Sequence, residues 1–241
     1  MIIYGLNPVL EALRAGRVRR LSIGPRSDRR TDEAVALAKA AGVAIERVDG
    51  QALERIARGG VHQGLAAELV PIRDYTVEEL VAGAAPQAPL LVVLDGVEDP
   101  HNLGAITRTV DAAGGHGIIR QARHAAALDG AAAKASAGAI AFVRFATVVN
   151  IARALEELKA AGVWTVGLAG EASETYDEVD FAIPTAIVVG SEGEGLRRLT
   201  RDRCDRLVRI PMAGSVESLN VSVAAGIALF EAARQRRTGS R

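Results

Sequence analysis

The sequence predicts an α/β protein of two units, the second built on a mostly parallel sheet covered by helices. Its 241 residues are 49% hydrophobic and 24% charged, the composition of a folded chain long enough for two compact domains. In the second part, short unbroken apolar runs alternate with helical stretches, which is typical of strands buried on both faces of a parallel sheet. A stretch rich in Gly, Ala and Pro at residues 83–89 separates the two patterns. We therefore expect a domain over residues 1–72, a linker over 73–89 and a second domain over 90–241.

The pattern of residues 1–72 predicts a small α/β domain. Asn7 and Pro8 are typical of a helix N-cap and first turn, and Thr31 is typical of the cap of a second helix. Turn residues and short aliphatic runs place strands between the helices. The predicted strands cover residues 18–23, 43–48 and 65–70, and a third helix covers residues 51–57.

The remainder of the chain predicts strands and helices in alternation. The strands are expected at 90–94, 117–119, 142–145, 163–168, 186–189 and 207–210, and the helices at 105–113, 151–161 and 220–234. Ligands of such sheets bind at the carboxyl ends of the strands. Functional side chains are therefore expected in the loops that follow these strands.

Composition excludes several classes of function. No apolar run approaches the roughly 18 residues that a membrane span needs, and the N-terminal segment lacks the pattern of a secretory signal. Cys204 is the only cysteine, which excludes an internal disulfide and a Cys-x-x-Cys metal site, and the four histidines lack metal-ligand spacing. We expect a cytoplasmic protein that uses no metal.

Charge is balanced overall but unevenly distributed. The 29 basic and 29 acidic side chains give a formal net charge of zero, which by itself disfavours nucleic-acid binding. However, seven arginines fall within residues 14–30, the arginine cluster, where only Asp28 opposes them. Guanidinium groups suit phosphate oxygens, although a solvated charged surface explains the cluster equally well. The candidate residues for binding the phosphates of a nucleic acid are Arg14, Arg17, Arg19, Arg20 and Arg26.

The first loop of functional interest covers residues 94–108, between a predicted strand and a predicted helix. Asn102 is placed to cap that helix, which is its structural interpretation. Arg108 follows six residues later, where a guanidinium can reach a phosphate or a reacting oxygen. A surface arginine is the alternative interpretation.

Two further loops follow later strands. Residues 187–196 form a strand, a turn with three glycines and a helix start, so that a ligand can approach the backbone closely. The turn has neither the Gly-Lys-Ser/Thr ending of a Walker loop nor the GxGxxG pattern of dinucleotide-binding proteins. Residues 208–226 carry a long polar loop after a strand, and Ser218 or Asn220 opens the next helix.

Together, the three loops resemble the three motifs of the SpoU/TrmH family of RNA 2′-O-ribose methyltransferases, a branch of the SPOUT superfamily. The resemblance rests on the Asn…Arg helix start, the turn GSEGEGL and the stretch IPMxGxVxSLNVSVAAG, and it covers roughly residues 90–234. The N-terminal YGLNPVLEAL and the junction VHQG resemble the L30e-like substrate-binding domain of a subgroup that methylates a guanosine of bacterial 23S rRNA. This subgroup often has a histidine where the chain has Asn7.

The resemblance implies a fold and a cofactor that the sequence pattern alone does not indicate. In this family the C-terminal part of the methyltransferase domain passes through a loop and forms a deep trefoil knot, a rare topology. S-adenosylmethionine lies bent in the knot, held largely by backbone groups, and S-adenosylhomocysteine is the product. Members are homodimers in which the partner subunit completes each site. The implied cofactor-binding residues are Leu168, Gly190, Ile210, Met212 and Leu219.

The resemblance also implies the reaction, methyl transfer to a ribose 2′-hydroxyl of RNA. Arg108 matches the family's catalytic arginine. Because a guanidinium is a poor base, we expect it to bind the adjacent phosphate and to stabilise developing negative charge. Asn102 and Glu192 are expected to orient the loops and Arg108, while Ser218 and Asn220 line the pocket for the hydroxyl. An ordinary structural role is the alternative for each of these four residues.

Other functions stay open. A tRNA ribose methyltransferase would share the motifs, although such relatives often carry terminal extensions in place of a separate domain. A non-catalytic RNA-binding protein would not need the five motif residues, and an oxidoreductase with a dinucleotide cofactor would need the missing GxGxxG. With four Phe, three Tyr and one Trp, the chain offers few stacking platforms, so RNA binding should depend on arginine–phosphate contacts.

Overall fold

The computed structural model describes residues 1–25, 28–128 and 130–238. Helices and strands alternate along the chain and fall into two compact units. The first unit comprises residues 1–72, 103–108 and 127–142, and the second comprises residues 73–102, 109–126 and 143 onward. The domain boundaries given above remain a prediction, because the first unit also takes up two later stretches of the chain.

The elements are numbered in chain order. They are β1 (Ile2–Tyr4), α1 (Leu6–Arg14), β2 (Val18–Ile23), α2 (Arg29–Ala40), β3 (Ala44–Arg47), α3 (Gly50–Ala57), β4 (Leu65–Leu69), α4 (Val77–Ala82), β5 (Leu90–Leu94), α5 (Pro100–Ala112), β6 (Gly117–Gln121), α6 (Gly130–Ala135), β7 (Phe145–Val148), α7 (Ile151–Ala160), β8 (Trp164–Leu168), β9 (Glu174–Thr175), β10 (Thr185–Val189), α8 (Arg198–Arg203), β11 (Arg206–Arg209) and α9 (Val221–Thr238). Short 3₁₀ turns lie at Ala139–Ala141 and Tyr176–Glu178. No helix in the described part of the chain has the length and apolarity needed to cross a membrane.

The first unit is built on a mixed sheet with the strand order β1-β4-β2-β3. Strands β1 and β2 run antiparallel to β4, whereas β3 runs parallel to β2. Strand β2 covers the residues that the sequence predicts, while β3 and β4 are each shorter than predicted by one residue or more. Strand β1 was not predicted, because three residues are too few to show a pattern.

Two helix starts in the first unit differ from the prediction. Helix α1 begins before Asn7, with Gly5 at its N-cap, so Asn7 does not cap it. Helix α2 is capped by Asp28, whose Oδ1 accepts the Thr31 backbone N–H at 2.8 Å, whereas Thr31 itself is buried. Asp and Thr are both favoured caps, so the sequence alone could not choose between two of them three positions apart.

The second unit is built on a sheet in which every neighbouring pair of strands is parallel, as predicted. Its strand order is β7-β6-β5-β10-β8-β11-β9. The chain runs outward from β5 through β6 to β7, and β8 to β11 then fill the other side. The order therefore reverses where β5 and β10 lie side by side, and ligands bind at the carboxyl ends of strands around such a point.

The segment predicted as a linker contains a helix. Thr76 and Glu79 form a capping box at the start of α4, and Val77 and Leu80 are buried in the core of the second unit. One helical turn and a half gives too short a pattern to be detected in the sequence.

Strand β7 differs from the strand predicted at residues 142–145. It begins only where the predicted strand ends, at Phe145.

Candidate functional site

A cavity of about 860 Å³ lies at the carboxyl ends of β8, β10 and β11. Leu168 ends β8, Gly190 follows β10 and Ile210 follows β11, so three neighbouring strands each bring a predicted residue to one place. The loop between β11 and α9 contributes Met212 and Leu219. The structure thus gathers the five predicted cofactor-binding residues around one cavity, and their binding role remains a prediction.

The glycine turn forms one wall of this cavity. A Cβ at Gly190 would lie 2.0 Å from the backbone carbon of Gly195, a distance that no side chain allows. Because Gly190 has no Cβ, the turn can fold back on itself, and Ser191 and Gly195 exchange two backbone hydrogen bonds of 3.0 Å. The folded turn lets a ligand approach peptide groups directly.

The chemistry of the walls fits S-adenosylmethionine, the group that the motifs imply. Leu168, Val208 and Ile210 offer apolar surface for a purine ring, and the glycine turn offers peptide groups for its polar edges. Glu171 and Arg201, which form an ion pair of 2.6 Å, add both signs of charge to the lining. Cavities of this size hold ligands of several hundred daltons.

Three motif side chains are hydrogen-bonded to one another next to the cavity. The amide Nδ2 of Asn220 donates to Oδ1 of Asn102 at 3.0 Å and to Oε1 of Glu192. Asn220 Oδ1 accepts the backbone N–H of Ser222 at 2.9 Å, so the same side chain caps α9. Asn220 therefore connects three loops that lie up to 118 positions apart in sequence.

Asn102 does not cap α5, contrary to its structural interpretation. The helix begins at Pro100, and Asp99 Oδ1 accepts the His101 backbone N–H at 2.9 Å. Asn102 lies inside the first turn and is only 6% exposed, which leaves its side-chain oxygen available to Asn220. The Asp-Pro pair is the better helix-start signal, since proline is favoured at the first helical position.

The other two predicted catalytic residues do not join this network. Arg108 follows Asn102 by six residues on α5, which corresponds to about 9 Å along the axis and a different face. Its side chain is exposed, and no hydrogen bond or ion pair with the described residues engages its guanidinium. Ser218 is exposed in the loop before α9 and lines the cavity.

The arginine cluster is less basic in the structure than in the sequence. Within the described residues, the side chain of Arg17 makes only a long hydrogen bond of 3.5 Å to the Pro71 carbonyl, and Arg26 lies outside those residues. The other three candidates form ion pairs: Arg14 with Glu33 at 2.7 Å, Arg19 with Glu68 at 2.8 Å and Arg20 with Glu46 at 3.4 Å. These carboxylates offset much of the positive charge that a phosphate would meet.

The described residues offer neither a reactive thiol nor a cluster of metal ligands. Burial raises the pKa of the Cys204 thiol to about 12, so the thiol is protonated at neutral pH and does not act as a nucleophile. Within residues 1–25, 28–128 and 130–238, no group of three or more His, Cys, Asp or Glu side chains is arranged to hold a metal ion.

Comparison with known proteins identifies the family. Residues 89–230 match the SpoU rRNA Methylase family, and residues 2–75 match the RNA 2′-O ribose methyltransferase substrate-binding domain. The chain belongs to the SpoU rRNA methylase family. As a family member it is an RNA 2′-O-methyltransferase, and its N-terminal part is of the kind that binds the RNA substrate.

Other SpoU-family proteins are similar over most of the chain. The 23S rRNA (guanosine-2′-O-)-methyltransferase RlmB of Yersinia pestis is 46% identical, over 98% of this chain and 97% of its own length. RlmB of Ralstonia nicotianae is 49% identical, over 88% of this chain and 85% of its own. The SpoU methyltransferase AviRb of Streptomyces viridochromogenes, solved with its cofactor AdoMet, superposes with a TM-score of 0.81 and 28% identity, covering 99% of this chain and 91% of that one.

Proposed function

We propose that this SpoU-family chain transfers a methyl group from S-adenosylmethionine to the ribose 2′-hydroxyl of a guanosine in 23S rRNA. The observation that carries the proposal is the contact of Asn220 with Asn102 and Glu192 beside a cavity that suits the cofactor. The two RlmB relatives, named for this reaction on 23S rRNA, support the choice of substrate.

The residues expected to hold the cofactor offer backbone and apolar groups. Five residues of the cavity lining would hold S-adenosylmethionine, which supplies a sulfonium methyl group when bound. They are Leu168, Gly190, Ile210, Met212 and Leu219. Holding the ligand mainly by peptide groups explains why the cofactor leaves no charged signature in the sequence. It also makes binding depend on the exact path of the glycine turn.

The bridged side chains set the geometry of transfer. Asn220 fixes Asn102 and Glu192, so the three loops keep one arrangement when the RNA enters. In-line transfer requires the hydroxyl oxygen to point at the methyl carbon, and such positioning supplies much of the rate. Ser218, at the exposed side of the cavity, lines the place where the hydroxyl arrives.

Arg108 has the electrostatic role in this proposal. Its exposed guanidinium is not engaged by the described residues, and it therefore has donors to offer a phosphate next to the reacting ribose. Bidentate binding places positive charge where the hydroxyl oxygen becomes negative during transfer. Because a guanidinium is a poor base, Arg108 donates hydrogen bonds in this proposal and does not take the hydroxyl proton, which passes to water as S-adenosylhomocysteine leaves.

The finer features of the family complete the proposal. Residues 1–72 dock the RNA, in part through the arginine cluster, and residues 90–241 form the methyltransferase domain with its trefoil knot. Two chains associate through the knot region, and α9 exposes Val223 by 49% and Phe230 by 54%, which supports such an interface. Sedimentation of the purified chain as a dimer is the expected result. An rRNA substrate implies action in the cytoplasm.

The direct test uses methyl-labelled S-adenosylmethionine with unmodified 23S rRNA and, separately, unmodified tRNA, followed by mapping of the 2′-O-methyl group. We expect label on a single 23S guanosine. Label on tRNA alone would keep the chemistry and overturn the rRNA substrate. No label on either RNA, nor on ribosomal assembly intermediates, would overturn the proposed function and favour a non-catalytic RNA-binding protein.

A further inference from the structure

Arg197 lies at the carboxyl edge of the parallel sheet of the second unit, at a place separate from the cofactor cavity. It directly follows the glycine turn, but it is not among the residues that line the cofactor cavity. The cavity lies over β8, β10 and β11, whereas the partners of Arg197 lie on the other side, at the ends of β5 and β6. The glycine turn thus has the cofactor cavity on one side and Arg197 on the other.

Two neighbouring strands hold this arginine in place. Asp95, directly after β5, is 1% exposed, and its Oδ2 accepts the backbone N–H of Arg197 at 2.9 Å. Its Oδ1 lies 3.8 Å from Arg197 Nη1 and has no hydrogen-bond partner in the described residues. The same Nη1 donates to Oε1 of Gln121, the last residue of β6, at 2.8 Å. A buried carboxylate and an amide therefore fix one edge of the guanidinium.

The backbone beneath the guanidinium is shaped to admit it. Gly96 has a φ of +78°, and a Cβ there would lie 3.1 Å from Arg197 Nη2 and 3.6 Å from Cζ. A side chain at residue 96 would therefore push the guanidinium aside by a few tenths of an ångström. Even so, 45% of the Arg197 side chain is exposed. A group that only closed the loop would not need a guanidinium held at its surface, because the backbone N–H already makes that bond.

We propose that Arg197 binds a phosphate of the substrate RNA close to the methylated ribose, and that Asp95 and Gln121 are positioning residues that hold its guanidinium. The proposal rests on the proposed function, since it needs RNA at this sheet edge. The acceptor ribose enters at the exposed side of the cofactor cavity, beside Ser218, and the RNA strand that carries it continues past the glycine turn to the other side, where Arg197 lies. Arginine is suited to this task, because its planar fork matches phosphate oxygens and a fixed fork loses little entropy on binding.

Arg197→Gln tests the proposal, with Arg198→Gln as the matched control. Arg198 is the next residue, is 92% exposed and has one ion pair of 3.7 Å with Asp202, so both variants lose one surface charge. RNA binding is measured over a range of salt concentrations with S-adenosylhomocysteine bound, using the RNA that the wild type methylates. One lost phosphate contact lowers the slope of log K against log salt by about 0.7–0.9. We expect this change and a roughly fivefold weaker RNA affinity for Arg197→Gln, and no change in slope for Arg198→Gln.

Two conservative variants distinguish the phosphate contact made by Arg197 from the positioning of its guanidinium by Asp95. Arg197→Lys keeps the charge and should restore the salt slope but not the full affinity, because a lysine lacks the fork. Asp95→Asn can still accept the Arg197 backbone N–H, but its amide hydrogens face the guanidinium. It should weaken RNA binding while S-adenosylhomocysteine affinity stays within twofold.

The outcomes distinguish this proposal from the proposed function. A wild type that methylates RNA, with equal salt slopes for Arg197→Gln and Arg198→Gln, would overturn the role of Arg197 alone. The same holds if Arg197→Gln loses S-adenosylhomocysteine affinity and melting temperature with an unchanged salt slope, since the residue would then only close the loop. A wild type that methylates no RNA would overturn both.

Discussion

The loops at the carboxyl edge of the large sheet and the arginine cluster of the first unit are organised in opposite ways. In the loops, polar side chains from distant parts of the chain bond to each other through Asn220. In the cluster, the arginines are neighbours in sequence, but Arg14, Arg19 and Arg20 each bond to a carboxylate instead of standing free. The loops therefore bring polar side chains together at one site, whereas the positive charges of the arginine cluster are neutralised by carboxylates from several elements.

This difference shows which sequence patterns predict the arrangement of side chains in the folded protein. Loops that follow parallel strands meet at one sheet edge, so residues 100 positions apart can be predicted as neighbours. A run of arginines gives no such information, because the neutralising partner can come from any other strand or helix. Glu68 and Glu46, which pair with Arg19 and Arg20, lie on β4 and β3 and are invisible to a local count of charge.

The largest expected effect on cofactor binding comes from Gly190→Ala in the glycine turn. The added Cβ would overlap the backbone at Gly195, so the turn must open and the cavity wall is lost. We expect S-adenosylhomocysteine to bind about 100-fold more weakly by calorimetry, equivalent to ~2.7 kcal/mol. Gly50→Ala, where a Cβ meets nothing within 4 Å, is the matched control and should bind normally. Normal binding by Gly190→Ala would show that the turn does not form the cofactor site.

An effect of similar size, on the rate of methyl transfer, is expected from Asn220→Ser, which separates the capping bond of this side chain from its bonds to Asn102 and Glu192. Serine can still cap α9, but it lacks the amide that reaches Asn102 and Glu192. Methyl transfer should fall about 100-fold, in the range seen when one positioned donor is removed, with little change in melting temperature. Asn220→Ala should lose the same activity and a further ~1 kcal/mol of folding stability through the lost cap. A serine variant as active as the wild type would make the cap the only role of Asn220.

The smallest effects distinguish free from paired arginines in the first unit. Removing the pair Arg19 and Glu68 together, as Arg19→Gln with Glu68→Gln, leaves the net charge unchanged, and we expect RNA affinity within twofold of the wild type. Arg29→Gln removes an exposed arginine for which no carboxylate partner is found in the described residues, and RNA affinity should fall about threefold at low salt. Filter binding measures both. If the double variant lost more RNA affinity than Arg29→Gln, the ion-paired arginines would be the ones that contact the RNA.

How much the sequence predicts depends on the kind of signal. The apolar runs predict all the central strands, because strands buried in a parallel sheet are continuously apolar. The resemblance to the family implies the five residues that the structure gathers around one cavity. The helix α4 is not predicted because it is too short to give a detectable pattern. The true caps at Asp28 and Asp99 are not predicted either, since competing capping residues stand within three positions. Asp95 has no local signal either: its importance comes from burial next to residue 197, 102 positions away.

Arg108 has the central role in the proposed mechanism, as the group that stabilises the negative charge that develops during methyl transfer. The direct measurement is the single-turnover rate of methyl transfer to the same RNA by the wild type, Arg108→Ala and Arg108→Lys, together with S-adenosylhomocysteine affinity. We expect the alanine variant to be about 1,000-fold slower and the lysine variant to recover only part of the loss, both with unchanged affinity for S-adenosylhomocysteine. A lysine variant with near-normal activity would contradict the need for a planar fork, and an alanine variant as fast as the wild type would contradict the assignment of Arg108 to catalysis.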